Sequence, residues 1–223
     1  MKKAELSILF LFFITLTLNA QTVKNYSGNY DLKCYESKAI PIHLLTGTAT
    51  YNYYENDDYE RIRKGRFSYT GKVSNNGVSV NSTISGNYKE NLKQGTWKTT
   101  SKVVNRQGSA TLSSVVNYSD GLPNGLWSFT SRTSKASESG SLNFINNRVI
   151  GDFKYKTKGI QINGKSDQKG FIDGIVKFVE RGTEEIYTYD HGFLVKYIRR
   201  NMQSGDIREN YAADPKELSL IHI

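Results

Sequence analysis

One phrase recurs along this chain, and it limits the possible folds more than any other feature. Aligned on a glycine, the segments YERIRKGRF, YKENLKQGTW, YSDGLPNGLW, FINNRVIGDF and DQKGFIDGIV place Gly65, Gly95, Gly125, Gly151 and Gly174 at a common position. A sixth segment, YDHGFLVKYI, has Lys196 there. The anchors fall at 65, 95, 125, 151, 174 and 196, so the spacing shortens from 30 residues to 22. Self-similarity at such a period marks a repeat architecture with one supersecondary unit per repeat. Aromatic residues stand seven positions before the anchor at Tyr88, Tyr118, Phe144 and Tyr189, and two after it at Phe67, Trp97, Trp127 and Phe153.

The unit is a β-hairpin. Four and five positions before the anchors lie Glu90-Asn91, Asp120-Gly121, Asn146-Asn147, Lys169-Gly170 and His191-Gly192. Most of these pairs contain a residue that tolerates positive φ, as a two-residue type I′ turn requires. Counting outward from that turn, the residue seven before the anchor pairs with the one two before it. The residue nine before then pairs with the anchor glycine, and the one eleven before with the aromatic two after. Side-chain alternation puts all of these on one face. The anchor glycine is therefore expected to leave a gap that neighbouring rings cover. The opposite face reads as polar, with Thr96, Lys98, Ser128, Thr130, Asp152, Lys154, Lys156, Lys177 and Arg199. Thr133 to Gly140 reads as a longer polar connection.

The phrase Y-x-D-G-x-x-x-G-x-W-x-F, present as YSDGLPNGLWSF, resembles the MORN repeat in the bacterial variant found in exported and antitoxin-like proteins. The resemblance covers roughly Gly47 to Asn201 and is closest in the repeats ending at Trp97 and Trp127. It implies an all-β fold: an elongated, curved antiparallel meander, here of about six hairpin repeats. It also implies a scaffold or binding surface, sometimes associated with membrane lipids, without catalytic residues. The expected organisation is a signal peptide over 1–20, an N-terminal cap or eroded first hairpin over 21–46, the repeats over 47–201, and a C-terminal strand or tail over 202–223. YSGNY at Tyr26–Tyr30 echoes ISGNY at Ile84–Tyr88, which supports the eroded hairpin.

The two ends bear on location. Lys2 and Lys3 precede an almost unbroken apolar run from Leu6 to Leu18, and Ala20 precedes Gln21. That is the layout of a secretory signal peptide, whereas a membrane anchor needs roughly 20 apolar residues. The cleavage point resembles that of exported Bacteroidetes-type proteins, which implies the periplasm, the outer-membrane surface or the extracellular space. The final ELSLIHI either resembles a translated adapter sequence or is a frayed tail.

Removing Lys2, Lys3 and Glu5 takes the formal charge from +9 to +8. Such a basic protein meets anionic glycan, lipid or acidic partners, or else uses its lysines to discourage edge-to-edge aggregation. Cys34 is the single cysteine, so no internal disulfide forms. No window outside the signal shows sustained helical periodicity.

Candidate chemistry is sparse. His43, His191, His222 and Cys34 have no metal-ligand spacing, and no cofactor site is expected. Asp57, Asp58 and Glu60 read as a solvated turn rather than a calcium loop. Tyr51 and Tyr53 are candidates for stacking on sugar rings, against the alternative that they form the core. Lys98, Lys154, Lys156, Lys177 and Arg199 are the candidate charged surface. The expectation is a non-enzymatic interaction platform whose partner is another envelope protein. The alternative is a glycan- or lipid-binding module. Nucleic acid is disfavoured by export.

Overall fold

In the computed structural model, which describes residues 22–33 and 44–212, the alternating pattern builds one open antiparallel sheet. Its first half uses long strands: β1 (Lys24–Lys33), β2 (Leu44–Glu55), β3 (Arg61–Asn75), β4 (Val78–Lys89), β5 (Leu92–Asn105), β6 (Gly108–Ser119) and β7 (Leu122–Thr133). Its second half uses shorter ones: β8 (Ser137–Ile145), β9 (Arg148–Val149), β10 (Gly151–Thr157), β11 (Ile160–Ser166), β12 (Gly174–Glu180), β13 (Thr183–Asp190), β14 (Phe193–Asn201) and β15 (Ile207–Ala212). Consecutive strands pair, so the sheet is a meander, and β9 and β10 are two halves of one strand beside β8. No helix occurs among the described residues. The 1–20 segment, Cys34, His43, His222 and the ELSLIHI tail lie outside the described residues.

Turn chemistry sets the hairpins. Glu90-Asn91 (φ 50° and 63°), Asp120-Gly121 (49° and 83°), Asn146-Asn147 (49° and 66°) and His191-Gly192 (48° and 91°) all have positive φ at both positions. That is the type I′ geometry, whose twist matches the strands it joins. Asn76-Gly77 and Arg181-Gly182 make the same turn at the other margin of the sheet. Lys169-Gly170 differs, with only Gly170 at positive φ. The β11–β12 link is wider and is organised by the Asp167 carboxylate, which accepts the amides of Lys169 and Phe171 at 2.8 and 3.0 Å.

The register beside each turn follows the count from the sequence, and then departs from it. Tyr88 pairs with Lys93, Tyr118 with Pro123 and Phe144 with Val149. Beyond this point the strands slip. On β6 only Asn117 separates Tyr118 from Val116, yet their partners Pro123 and Trp127 on β7 enclose three residues. Two extra residues are thus accommodated on β7, around Gly125 at φ 93°. The same two-residue slip occurs at Gly65 and Gly95, whose φ values are 86° and 65°. The expected pairing of the anchor glycine with the residue nine before it is therefore wrong. The anchor is a bulge glycine, required for its backbone conformation.

A slip of two preserves side-chain parity, so both halves of each strand keep one aromatic and one polar face. Where Lys196 replaces the anchor glycine, the slip is one residue. Parity then inverts. Tyr197, not Ile198, meets Tyr187, and Arg199 pairs with Glu185 on the aromatic face. Arg199 was expected on the polar face, and the one-residue slip is the reason it is not there.

Rings do lie over glycines, but over different ones. A side chain at Gly86 would run into the Trp97 ring, one at Gly140 into Phe129, and one at Gly164 into Phe153. Gly95 has open space around it, and Gly125 faces the Asn117 side chain. Gly140 belongs to β8 and pairs with Phe129, so it is not part of a polar connection. The sheet's core is on this face of β2–β5, where Leu45, Ala49, Phe67, Tyr69, Val80 and Trp97 are buried in one cluster.

Repeats are also joined through their turns. The amide of Asn91 donates to the Arg63 carbonyl, Gly121 to Lys93, Asn147 to Pro123 and Gly192 to Ile172. In each case the acceptor lies two residues before the preceding anchor. The bulge exposes that carbonyl to the next turn, which couples neighbouring repeats as expected of a linear array.

Candidate functional site

The aromatic face carries clusters of rings in contact, the largest running from Tyr26 on β1 to Tyr118 on β6. Tyr26 lies 4.8 Å from Tyr51, Phe67 5.5 Å from Trp97, and Trp97 4.9 Å from Tyr88, centroid to centroid. Cations cover this cluster. The Arg61 guanidinium sits 5.0 Å from the Tyr53 centroid and 5.6 Å from that of Tyr26. Arg63 is 4.3 Å over Tyr88, and Lys93 lies 4.8 and 4.9 Å from Trp97 and Tyr118. Burial holds the Lys93 ammonium below the usual lysine range, and the Arg63 charge acts in the same direction. Burial also pushes the phenols of Tyr88 and Tyr118 up. Tyr53 is 8% exposed, and Tyr51 is flanked by Tyr26, Tyr53 and Phe67. With one sheet and no covering layer among the described residues, the rings bury one another.

The opposite face has a different chemistry. One row runs Thr48, Thr70, Thr83, Thr100, Ser113, Thr130 and Ser139 from β2 to β8, each residue opposite the next, and reaches Lys156 on β10. All of these are exposed except the half-buried Ser113. A second row passes through Thr50, Ser68, Ser85 and Lys98, and then through Ser128, Ser141 and Lys154. A third contains Lys72, Asn81, Lys102, Thr111 and Arg132. Lys98, Lys154 and Lys156 are therefore brought together on one surface. Lys177 extends it on β12, where its ammonium is 3.9 Å from Glu184. Arg199 stands on the other side, its Nε 3.6 Å from Glu185, and Tyr187 donates to that carboxylate at 2.7 Å. The rows are not legible in the sequence, because their neighbouring members are 9 to 22 residues apart in the chain and meet only once the register is known.

Another missed signal was more accessible. An asparagine, at Asn52, Asn87, Asn117 and Asn143, precedes the aromatic that pairs with the residue two before each anchor. The amides of Asn117 and Asn143 donate across the bulge to the carbonyls of Leu126 and Ile150, at 3.2 and 3.1 Å. Asn52 stands beside Gly65. The repeat phrase is thus Asn-aromatic, turn, glycine, aromatic.

One cluster of possible metal ligands occurs among the described residues. Asp173, Asp190 and His191 bring ligand atoms within 4.8 Å of one another around the β13–β14 turn. His191 Nδ1 lies 2.6 Å from Asp190, whose hydrogen bond and charge raise the imidazole pKa. Asp190 and His191 are open to solvent. The Asp57–Glu60 segment is a local turn in which the Asn56 carboxamide accepts the amides of Asp58 and Glu60.

These features define a hairpin-repeat sheet with one self-covered aromatic face and one open hydroxyl-rich face. Compared with protein-family models and with curated proteins, the chain matches none.

Proposed function

We propose that this chain is an exported, non-enzymatic, MORN-like repeat protein whose sheet acts as an interaction platform or scaffold in the bacterial cell envelope. The observation that carries the reading is the polar face. It presents hydroxyls and lysines strand after strand from β2 to β10, while the rings of the other face supply the core. A surface free of packing demands and repeated at a fixed spacing suits an extended partner, here another envelope protein. The tyrosine-turn-glycine-tryptophan phrase and its bulge support the MORN-like assignment. The basic start and apolar run before Gln21 support export to the periplasm, the outer-membrane surface or beyond.

The test has two parts. Expressed in a Gram-negative host, the chain should be recovered from the periplasm at a mass lacking residues 1–20; an unprocessed cytosolic chain would count against the proposal. In a bacterium carrying the native gene, a photo-crosslinking residue at Thr83 or Thr130 should capture a discrete partner, and one at Phe67 should not. Equal capture at all three positions would remove the assignment of the platform to the polar face.

A second reading, a glycan- or lipid-binding module, is favoured by the cations on the same face.

A further inference from the structure

We infer that the polar face binds a linear acidic polysaccharide laid across the strands; the inference rests on the glycan-binding reading of that face.

The length and direction come from the hydroxyl row. From Thr48 on β2 to Lys156 on β10 it crosses eight paired strands, about 34 Å at the usual ~4.8 Å between strands. Each step from Thr48 to Ser139 offers a hydroxyl that both donates and accepts, which is the requirement for pairing with sugar hydroxyls, and Lys156 closes the row as a donor. Within the row, Thr100 and Ser113 are in mutual reach at 3.5 Å, and the exposed members on either side are directed to solvent.

The charge of the ligand comes from the flanking rows. Between β2 and β10 these three rows contain Lys72, Lys98, Lys102, Arg132, Lys154 and Lys156, and no aspartate or glutamate. All six cations are exposed. The carboxylates that neutralise arginines and lysines elsewhere, such as Glu184 and Glu185, lie beyond this stretch. Six like charges spaced along a hydroxyl surface complement a chain that carries both hydroxyls and spaced anions, as a polyuronate does.

The same rows argue against other polyanions. An anionic membrane would be met by apolar side chains that can enter the acyl region, and Val115 is the only apolar member of the rows between β3 and β10. Single-stranded nucleic acid needs aromatic platforms for its bases, and here the stacked rings face the other way.

The experiment uses the full mature chain with sodium alginate as the polyuronate, dextran as a neutral glucan, and phosphatidylglycerol vesicles. Alginate should bind, with affinity falling as salt rises, and dextran and vesicles should bind at least about tenfold more weakly. Replacing Lys98, Lys102, Lys154 and Lys156 by glutamine should reduce alginate binding by about tenfold or more. Replacing Thr83, Thr100 and Thr130 by valine keeps shape, charge and strand preference, and should still weaken alginate binding about tenfold through lost hydrogen bonds. Unchanged circular dichroism of both variants keeps misfolding out of the comparison. The inference is overturned by no alginate binding, by vesicles binding as tightly as alginate, or by a valine variant as tight as the parent. Failure of alginate to bind a chain that is correctly processed and exported would leave the platform reading intact.

Discussion

Trp97 of β5 lies over Gly86 of β4 and donates its indole N–H to the neighbouring Asn87 carbonyl at 3.1 Å. That contact places the largest ring of the core where only a glycine leaves room, with Phe67 and Tyr88 packed around it. Phe129 over Gly140 and Phe153 over Gly164 repeat the arrangement further along the sheet.

A branched residue beneath such a ring forces the ring out of its layer. Gly86→Val and Gly140→Val should each lower stability by about 1–3 kcal/mol or more, the usual range for overpacking. Ser85→Val, one position away on the open face, should stay within about 0.5 kcal/mol of the parent. Urea midpoints of the three variants decide the matter. Equal shifts at Ser85 and Gly86 would mean that the ring does not depend on the glycine.

The anchor glycines fail for another reason. A Cβ at Gly95 meets nothing within 4 Å, so its φ of +65° is the constraint. Gly95→Ala should cost roughly 1–2 kcal/mol from the left-handed backbone alone, and Gly95→Asn distinctly less, since asparagine visits that region. If alanine and asparagine were equally costly, side-chain crowding rather than φ would be the cause.

How much of this was legible follows from the same residues. The hairpins could be read because type I′ turns have a narrow composition, and Asp120-Gly121 or Asn146-Asn147 satisfies it openly. Register next to each turn followed by counting. The slip at Gly125 did not, because a bulge glycine and a room-making glycine look alike in a sequence. Only the structure distinguishes Gly95, with empty space around it, from Gly86 under an indole. Arg199 went to the wrong face for the same reason: replacing the anchor by Lys196 changes the slip from two residues to one. The hydroxyl rows depend on every register from β2 to β8 at once, so they could not be assembled until all the slips were known.

Burial of tyrosines sets the alkaline limit. Tyr88, Tyr118, Tyr187 and Tyr189 all have pKa values raised above 10.0, with burial the leading cause in each. A raised folded-state pKa means the folded form holds its protons longer than the unfolded one. The contribution to stability is complete below about pH 10, the ordinary tyrosine value, and is lost as pH rises through the folded values. The tyrosinate absorbance of these four should therefore rise only at alkaline pH above the ordinary tyrosine value. These four half-buried phenols should ionise only together with the unfolding seen by circular dichroism. A single smooth titration before any unfolding would contradict the packing described.

The His191–Asp190 pair gives the corresponding test near neutrality. The imidazole Nδ1 is 2.6 Å from the Asp190 carboxylate, whose hydrogen bond and charge raise the His191 pKa above 6.5, with Asp173 and Asp167 adding smaller pulls. Because the folded value is raised, the stabilisation is present below the unfolded histidine pKa. It disappears as pH rises through the folded one. Both groups are open to water, so the effect belongs to the β13–β14 turn and not to global stability. Asp190→Asn should move the His191 titration, followed by the ring proton shifts in NMR, down towards the ordinary value. Asp173→Asn should move it less, since its charge acts without the direct hydrogen bond. A larger shift from Asp173→Asn would mean that the acidic pair exchanges roles in solution and that Asp190 is not the partner holding the proton.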